Sequence, residues 1–258
     1  MNNKAVEIEK MFDSISKEYD RLNRIITFGT DAKNKKEIAR IVKKKMPSKV
    51  LDIATGTGDI PISLSKIKNC QITGIDISKN MIAEGRKKIK NKDLSKKITL
   101  EIGNAERLEY KSDHFDVVTI SFGVRNFEYL DISLREAHRV LKKSGWLIIY
   151  ETSLPKNIII RTFYLIISSL FIPLTGLLFS KNPIAYFYLQ ISSKVFPSGK
   201  DFLKILSKVG FSDFEIREKL FGSLSIYIAK KKKLILVWLI KKDLTRIKRT
   251  LQLVDFLY

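Results

Sequence analysis

Short, largely apolar runs recur along the chain at 50–54, 71–77, 98–103, 114–121 and 145–152. Between them, apolar residues return every three or four positions at 59–67, 79–90 and 130–142. Buried strands read as brief continuous apolar runs, and surface helices as the 3.6-residue repeat. The alternation predicts parallel βαβ units with right-handed connections. Residues 1–46 read as helical, with Ile15, Tyr19, Leu22, Ile25 and Ile26 on helical spacing and Gly29 as a stop. Near the other end, 198–210 reads as a helix stopped by Gly210, and 211–217 with 223–229 as a hairpin of edge strands. The pattern is that of an α/β fold, a mostly parallel sheet with helices on both faces.

Such sheets bind ligands outside the carboxyl ends of their strands. The chemistry-bearing residues fall there. The first strand runs into ATGTGD, in which Gly56 and Gly58 flank Thr57. A glycine turn that opens a helix brings backbone N–H groups close to a ligand. A dinucleotide fingerprint needs a third glycine, and position 61 holds Pro61 instead. Asp52 and Asp59 suit a positively charged ligand better than a phosphate. The second strand ends at Asp76, where an acid can bind ribose hydroxyls. Asn104-Ala105 follows the third strand, and the Asn104 amide can pair with an adenine edge. Ser121 to Asn126 follows the fourth, and Arg125 there can hold an oxygen that becomes anionic.

Composition narrows the chemistry. The 258 residues hold one cysteine, Cys70, and two histidines, His114 and His138, so neither a disulfide framework nor a side-chain zinc site is expected. No signal peptide is expected from the polar start, and the cytoplasm is the default compartment. The formal charge of +21 invites a nucleic-acid reading. It comes from 36 lysines and 12 arginines spread along the chain, whereas bidentate phosphate recognition favours arginine. No nucleic-acid partner is expected.

The ATGTGD turn with Asp76 resembles class I S-adenosylmethionine-dependent methyltransferases. SFGVRNF resembles the signature of the ubiquinone/menaquinone biosynthesis C-methyltransferase family, as does the opening MFDSISKEYDRLN. Two further matches are Tyr186 to Leu189 with Ser192 and Phe196-Pro197, and Leu141 to Gly145 leading to Glu151 and Pro155. The resemblance spans about residues 8 to 232. It implies a Rossmann-like, mostly parallel seven-stranded sheet in a single domain over 1–232, with an N-terminal lid (1–46) and an apolar cap insert (156–196). It also implies S-adenosylmethionine as methyl donor and carries the cofactor positions onto Thr57, Asp76, Asn104-Ala105 and Ser121. With the turn residues, the expected cofactor set is Asp52, Gly56, Thr57, Gly58, Asp76, Asn104, Ala105 and Ser121. Two departures stand out: Asn34 where the family has tryptophan, and Lys142 to Gly145 where it has Lys-Pro-Gly-Gly.

The implied reaction is C-methylation of a prenylated hydroquinone, demethylmenaquinol first and the ubiquinol precursor second. Arg125 and Asn126 are the expected oxyanion-stabilising residues, with Tyr19 and Tyr188 lining the other side, and no metal is expected. Residues 162–179 carry no charge over 18 positions, long enough to span a bilayer. A span is rejected because the strands after it must return to the same sheet; Pro173 and Gly176 are expected to break the segment near its end. It reads as a cap over the substrate. Together, 158–179 and the basic, apolar extension 233–258 suit contact with an anionic membrane surface, making the protein peripheral. A homodimer is a further expectation. The rival readings are an RNA or other small-molecule methyltransferase and a noncatalytic S-adenosylmethionine-binding protein.

Overall fold

The structure, a computed structural model, describes residues 4–27 and 29–232. Seven strands make one sheet: β1 (Lys49–Ile53), β2 (Gln71–Asp76), β3 (Ile98–Ile102), β4 (Phe115–Ser121), β5 (Leu141–Thr152), β6 (Phe211–Lys219) and β7 (Leu224–Lys231). Their order is β3-β2-β1-β4-β5-β7-β6. The first five are parallel. β7 inserts antiparallel between β5 and β6.

Successive strand residues point to opposite faces, and each face is covered by helices. On one, Leu51, Val118 and Ile120 pack with Leu134 and Ala137 of α6 (Leu130–Val140) and Phe202 and Leu206 of α9 (Lys200–Val209). On the other, Val50, Ile72 and Val117 meet α3 (Asp31–Lys43), α4 (Asp59–Leu64) and α5 (Lys79–Lys90) through Ile38, Val42, Leu64 and Ile82. The basic extension at 233–258 lies outside the described residues.

Several expected boundaries shift. The helical stretch 1–46 is three helices, α1 (Lys4–Ile15), α2 (Tyr19–Ile26) and α3. The run at 142–145 is part of β5 rather than a turn before it. Leu141 pairs with Phe115 and Trp146 with Val117, so residues 142–145 bulge out opposite Asp116 alone. Lys142 closes the bulge with an ion pair to Asp116, 2.7 Å away.

The apolar insert forms α7 (Ile158–Phe179) and α8 (Pro183–Val195). α7 runs unbroken through Pro173, which corrects the expected break. A proline inside a helix loses one backbone hydrogen bond and crowds the preceding turn. Packing holds α7 straight past it: a Cβ on Gly176 would lie 2.5 Å from the Cβ of Tyr186, so only glycine permits this approach to α8. By length and composition α7 could cross a membrane. However, β5 pairs with β7 continuously from Trp146–Lys230 to Thr152–Leu224, so the chain on either side of the insert returns to one sheet. A span would put those paired strands on opposite sides of a bilayer.

Candidate active site

The strand order reverses between β1 and β4, each followed by a connection to the opposite side of the sheet. At that switch point the carboxyl ends of four strands open onto one cavity of about 730 Å³, part of it open to solvent. Ile53 and Ala54, Asp76 and Ile77, Gly103 to Ala105, and Ser121 to Gly123 supply its floor. Ala5, Ile8, Phe12 and Tyr19, from α1 and the start of α2, line it from above, where a lid was expected. Asn126, Phe127 and Glu128 make the far wall. The lid is pinned to that wall: Lys4 Nζ donates to the Phe127 carbonyl at 3.0 Å and Ala5 N to Glu128 Oε2 at 3.3 Å.

The glycine turn is held from below and from the side. Gly58 takes φ +79° as the residue before α4, a left-handed conformation that disfavours side chains. Gly56 N donates to Asp76 Oδ2 at 2.7 Å and Ser78 N to Oδ1 at 2.9 Å. Burial pushes the Asp76 carboxyl up to about 6. Asn104 Oδ1 accepts from Glu106 N at 2.9 Å, so its amide N–H groups, not its oxygen, remain for a ligand.

Three expected cofactor residues are not on the cavity wall. Asp52 is buried beneath the turn, accepting from the hydroxyls of Thr55 and Thr119 at 2.6 and 2.5 Å. Thr57 is buried too; its hydroxyl donates to Asp20 at 2.6 Å and accepts from Lys88 at 2.9 Å. Lys88 also pairs with Asp20 at 2.7 Å and Asp59 at 2.5 Å, and Asp59 with Lys35. Against the upward push of burial, Lys35 and Lys88 hold Asp59 below its usual range. Thr57 and Gly58 therefore shape the turn and tie it to the lid. Asp59 meets lysines of the protein instead of a ligand.

Burial pushes the Asp52 carboxyl up to about 7. In the unfolded chain it ionises near 4, so between those values the unfolded state sheds its proton first. Its contribution to stability is therefore greatest below about pH 4 and is lost as pH rises to about 7, on the order of 4 kcal/mol in all. Asp52→Asn, which can bond the same two threonines, should gain stability relative to the parent across that window. Paired denaturation curves at pH 4, 5.5 and 7.5 check it; a constant difference would refute the assignment.

The catalytic candidates separate into two layers. Tyr19 and Asn126 face the cavity. Burial pushes the Tyr19 phenol above its usual range, so near neutrality it is a hydrogen-bond donor. Arg125 and Tyr188 stand behind. Tyr188 donates to Asn126 Oδ1 at 3.2 Å, and Asn126 Nδ2 to the Phe122 carbonyl at 3.3 Å. Arg125, whose side chain is 7% exposed, donates through Nη1 to Glu151 Oε1 at 2.5 Å; Glu151 is wholly buried. Arg125 also reaches the Phe122 carbonyl and, through Nε, the Ser192 hydroxyl of α8.

Sequence reading missed Ile8, Phe12, Glu128 and Glu151. Ile8, Phe12 and Tyr19 lie four and seven positions apart, with Met11 and Ile15 the other apolar residues between them, which is a readable stripe. Glu151 ends the apolar run WLIIYE, and an acid there implies a buried partner. Among the described residues no cluster of three or more His, Cys, Asp or Glu side chains is placed to hold a metal ion.

Comparison with known proteins places this arrangement. The profile of the ubiE/COQ5 methyltransferase family matches residues 1–231. The demethylmenaquinone methyltransferase of Bacteroides fragilis is 38% identical over 229 residues, 88% of this chain and 94% of the relative. The ubiquinone/menaquinone biosynthesis C-methyltransferase of Geobacter sulfurreducens is 35% identical over 233 residues, 90% of this chain and 91% of the relative. Among solved structures, a SAM-dependent methyltransferase from Aquifex aeolicus superposes with a TM-score of 0.54 at 16% identity, over 75% of this chain and 89% of that one. At that identity it speaks for the fold alone.

Proposed function

The chain belongs to the ubiE/COQ5 methyltransferase family, and from that premise we propose that it methylates a ring carbon of demethylmenaquinol at the cytoplasmic face of a membrane. It is an S-adenosylmethionine-dependent C-methyltransferase of quinone biosynthesis. The choice of menaquinone over ubiquinone is supported by the naming of the relatives at 37–38% identity as demethylmenaquinone methyltransferases.

The residues present suit S-adenosylmethionine. Asp76 offers carboxylate oxygens for a ribose diol, Asn104 amide donors for an adenine edge, and Gly56 and Ser121 line the space between. S-adenosylmethionine, when bound, supplies an already activated methyl group. The chain's work is then to position the ring and to stabilise charge. The ring carbon becomes nucleophilic when a phenol of the hydroquinone loses its proton, and after the new C–C bond forms that carbon gives up its hydrogen as a proton. Asn126, oriented by Tyr188 and the Phe122 carbonyl, presents a polar group to the phenolic oxygen. The Arg125 charge lies directly behind in a dry environment, where it favours an oxyanion. Tyr19, held protonated by burial, serves as a donor and not a base. The observation that carries the reading is this convergence of four strand ends and the N-terminal helices on one cavity, with Asn126 on its wall and Arg125 behind, both bonded to α8.

Deuterated-methyl S-adenosylmethionine with reduced demethylmenaquinol should yield a ring-labelled menaquinol by mass spectrometry. Label only on the demethylated ubiquinol precursor would move the substrate to the benzoquinol. Cofactor binding with no label on either quinol would overturn the reaction and favour a noncatalytic or RNA-directed role.

A further inference from the structure

The cap helices are amphipathic in the wrong sense for water. A surface helix of a soluble protein turns its large apolar residues inward. In α7, Ile159, Phe163, Ile166, Leu170, Leu174 and Leu177 are all exposed, while Ser168, Thr175 and Gly176 are buried. The spacings of four, three, four, four and three put those six on one stripe along the helix. α8 repeats the inversion: Ile184, Phe187, Ile191 and Val195 are exposed, and Gln190, Ser192 and Ser193 are buried. Monomeric soluble proteins rarely leave apolar area this continuous in water.

A third element joins the same surface. The β6–β7 hairpin turns at Leu220 and Phe221, both at positive φ (+46° and +57°). Bulky residues rarely adopt this conformation, and Phe221 is 83% exposed. The turn lies at the entrance to α7: a Cβ on Gly222 would sit 3.4 Å from Pro155 Cα, and Lys156 pairs with Glu218 at 2.6 Å.

Charge decides what covers this face. From residue 152 to 200 the chain carries five cations and not one Asp or Glu; Lys156 pairs with Glu218 and Lys194 bonds the Ser169 hydroxyl, which leaves Arg161, Lys181 and Lys200. Arg161 and Lys181 are exposed near the two ends of α7. A second copy on a two-fold axis would set these cations against themselves. Anionic lipid headgroups would neutralise them, while the apolar stripes enter the acyl boundary.

We propose that the exposed faces of α7 and α8, with the Phe221 hairpin tip, form a docking surface for an anionic lipid bilayer, the tip acting as an anchoring wedge. This rests on the reading of the substrate as a prenylated quinol, which would reach the Arg125–Asn126 wall from the bilayer beneath the cap. The arginine's bond to Ser192 of α8 connects the docked helix to the site.

The test uses the full chain in vesicle flotation. Phosphatidylcholine vesicles are compared with phosphatidylcholine–phosphatidylglycerol vesicles, beside turnover of a short-chain, water-soluble demethylmenaquinol. The parent should bind the anionic vesicles at least tenfold more strongly than the neutral ones. Arg161→Glu/Lys181→Glu should erase that preference. Phe221→Ser and Leu170→Ser should each weaken binding about tenfold or more. Melting temperature and short-chain turnover should stay at parent values, because these side chains are exposed and none of them lines the cavity. Residues 233–258 are present in every variant, so the losses belong to the patch. Undiminished binding in all variants, or sedimentation showing a dimer through this face with no vesicle binding, would overturn the docking surface while intact short-chain turnover left the reaction standing. Loss of short-chain turnover in the parent would instead count against the quinol reading.

Discussion

Glu151→Ala should unfold about 10 °C below the parent and lose at least a hundredfold in turnover. The carboxylate is wholly buried, and its Oε1 accepts from Arg125 at 2.5 Å and from the Thr152 backbone N–H at 2.6 Å. Its loss leaves a guanidinium that is only 7% exposed without its counter-charge. Breaking one side of a buried pair costs roughly 3–5 kcal/mol, and for a domain of this size each kcal/mol moves Tm by about 2–4 °C. Glu151→Gln separates the two roles. It keeps an acceptor for Thr152 and Arg125 but not the counter-charge, so only part of the melting temperature should return. It removes the charge that fixes the guanidinium behind Asn126, so kcat should stay low with little change in the KM for S-adenosylmethionine. Thermal melts and initial rates on both variants check this. Full kcat in Glu151→Gln at parent stability would show that the charge of the pair does not matter to the reaction.

The second large effect is expected at Asp76. Its carboxylate already anchors the glycine turn through Gly56 N and the start of α5 through Ser78 N. It is also the group we assign to the ribose hydroxyls. Hydrogen bonds to a charged group contribute about 1.5–3 kcal/mol each, so Asp76→Ala should weaken S-adenosylmethionine binding by two to three orders of magnitude. Asp76→Asn, which keeps one acceptor, should fall between. Because burial pushes this carboxyl up to about 6, affinity in the parent should decline as pH falls below that value, as the acceptor takes up a proton. Calorimetric titrations at pH 5 and 8 read both effects. An unchanged Kd in Asp76→Ala would remove this residue from the ribose site.

How legible the site was depends on the range of each interaction. Gly56, Asp76, Asn104, Ala105 and Ser121 line the cavity, and they were readable because each sits at the end of an apolar run, which is a local feature. Tyr19 and Asn126 came with them. Asp52, Thr57 and Gly58 were expected in the cofactor set and lie off the cavity wall. The partners that bury them, Thr119 and Lys88, lie far off in sequence. The ion pair of Arg125 was hidden for the same reason: its partner Glu151 lies 26 residues further on. The bulge at 142–145 and the uninterrupted α7 were also unreadable locally. Each depends on a neighbour, Asp116 in one case and Tyr186 in the other, that overrides the residue's own preference.

The position of β7 has a consequence for synthesis. The last strand among the described residues is not an edge; it lies between β5 and β6 and pairs with both. Until residue 231 has left the ribosome, β5 has an open flank and β6 has no neighbour at all. The outward-facing apolar residues of α7 are made well before that point. The nascent chain thus carries its lipid-seeking helix next to an unfinished sheet edge, a combination prone to self-association. A membrane present during translation would take up that helix at the moment of greatest risk, so the docking surface we propose for the finished enzyme would also protect it while it folds.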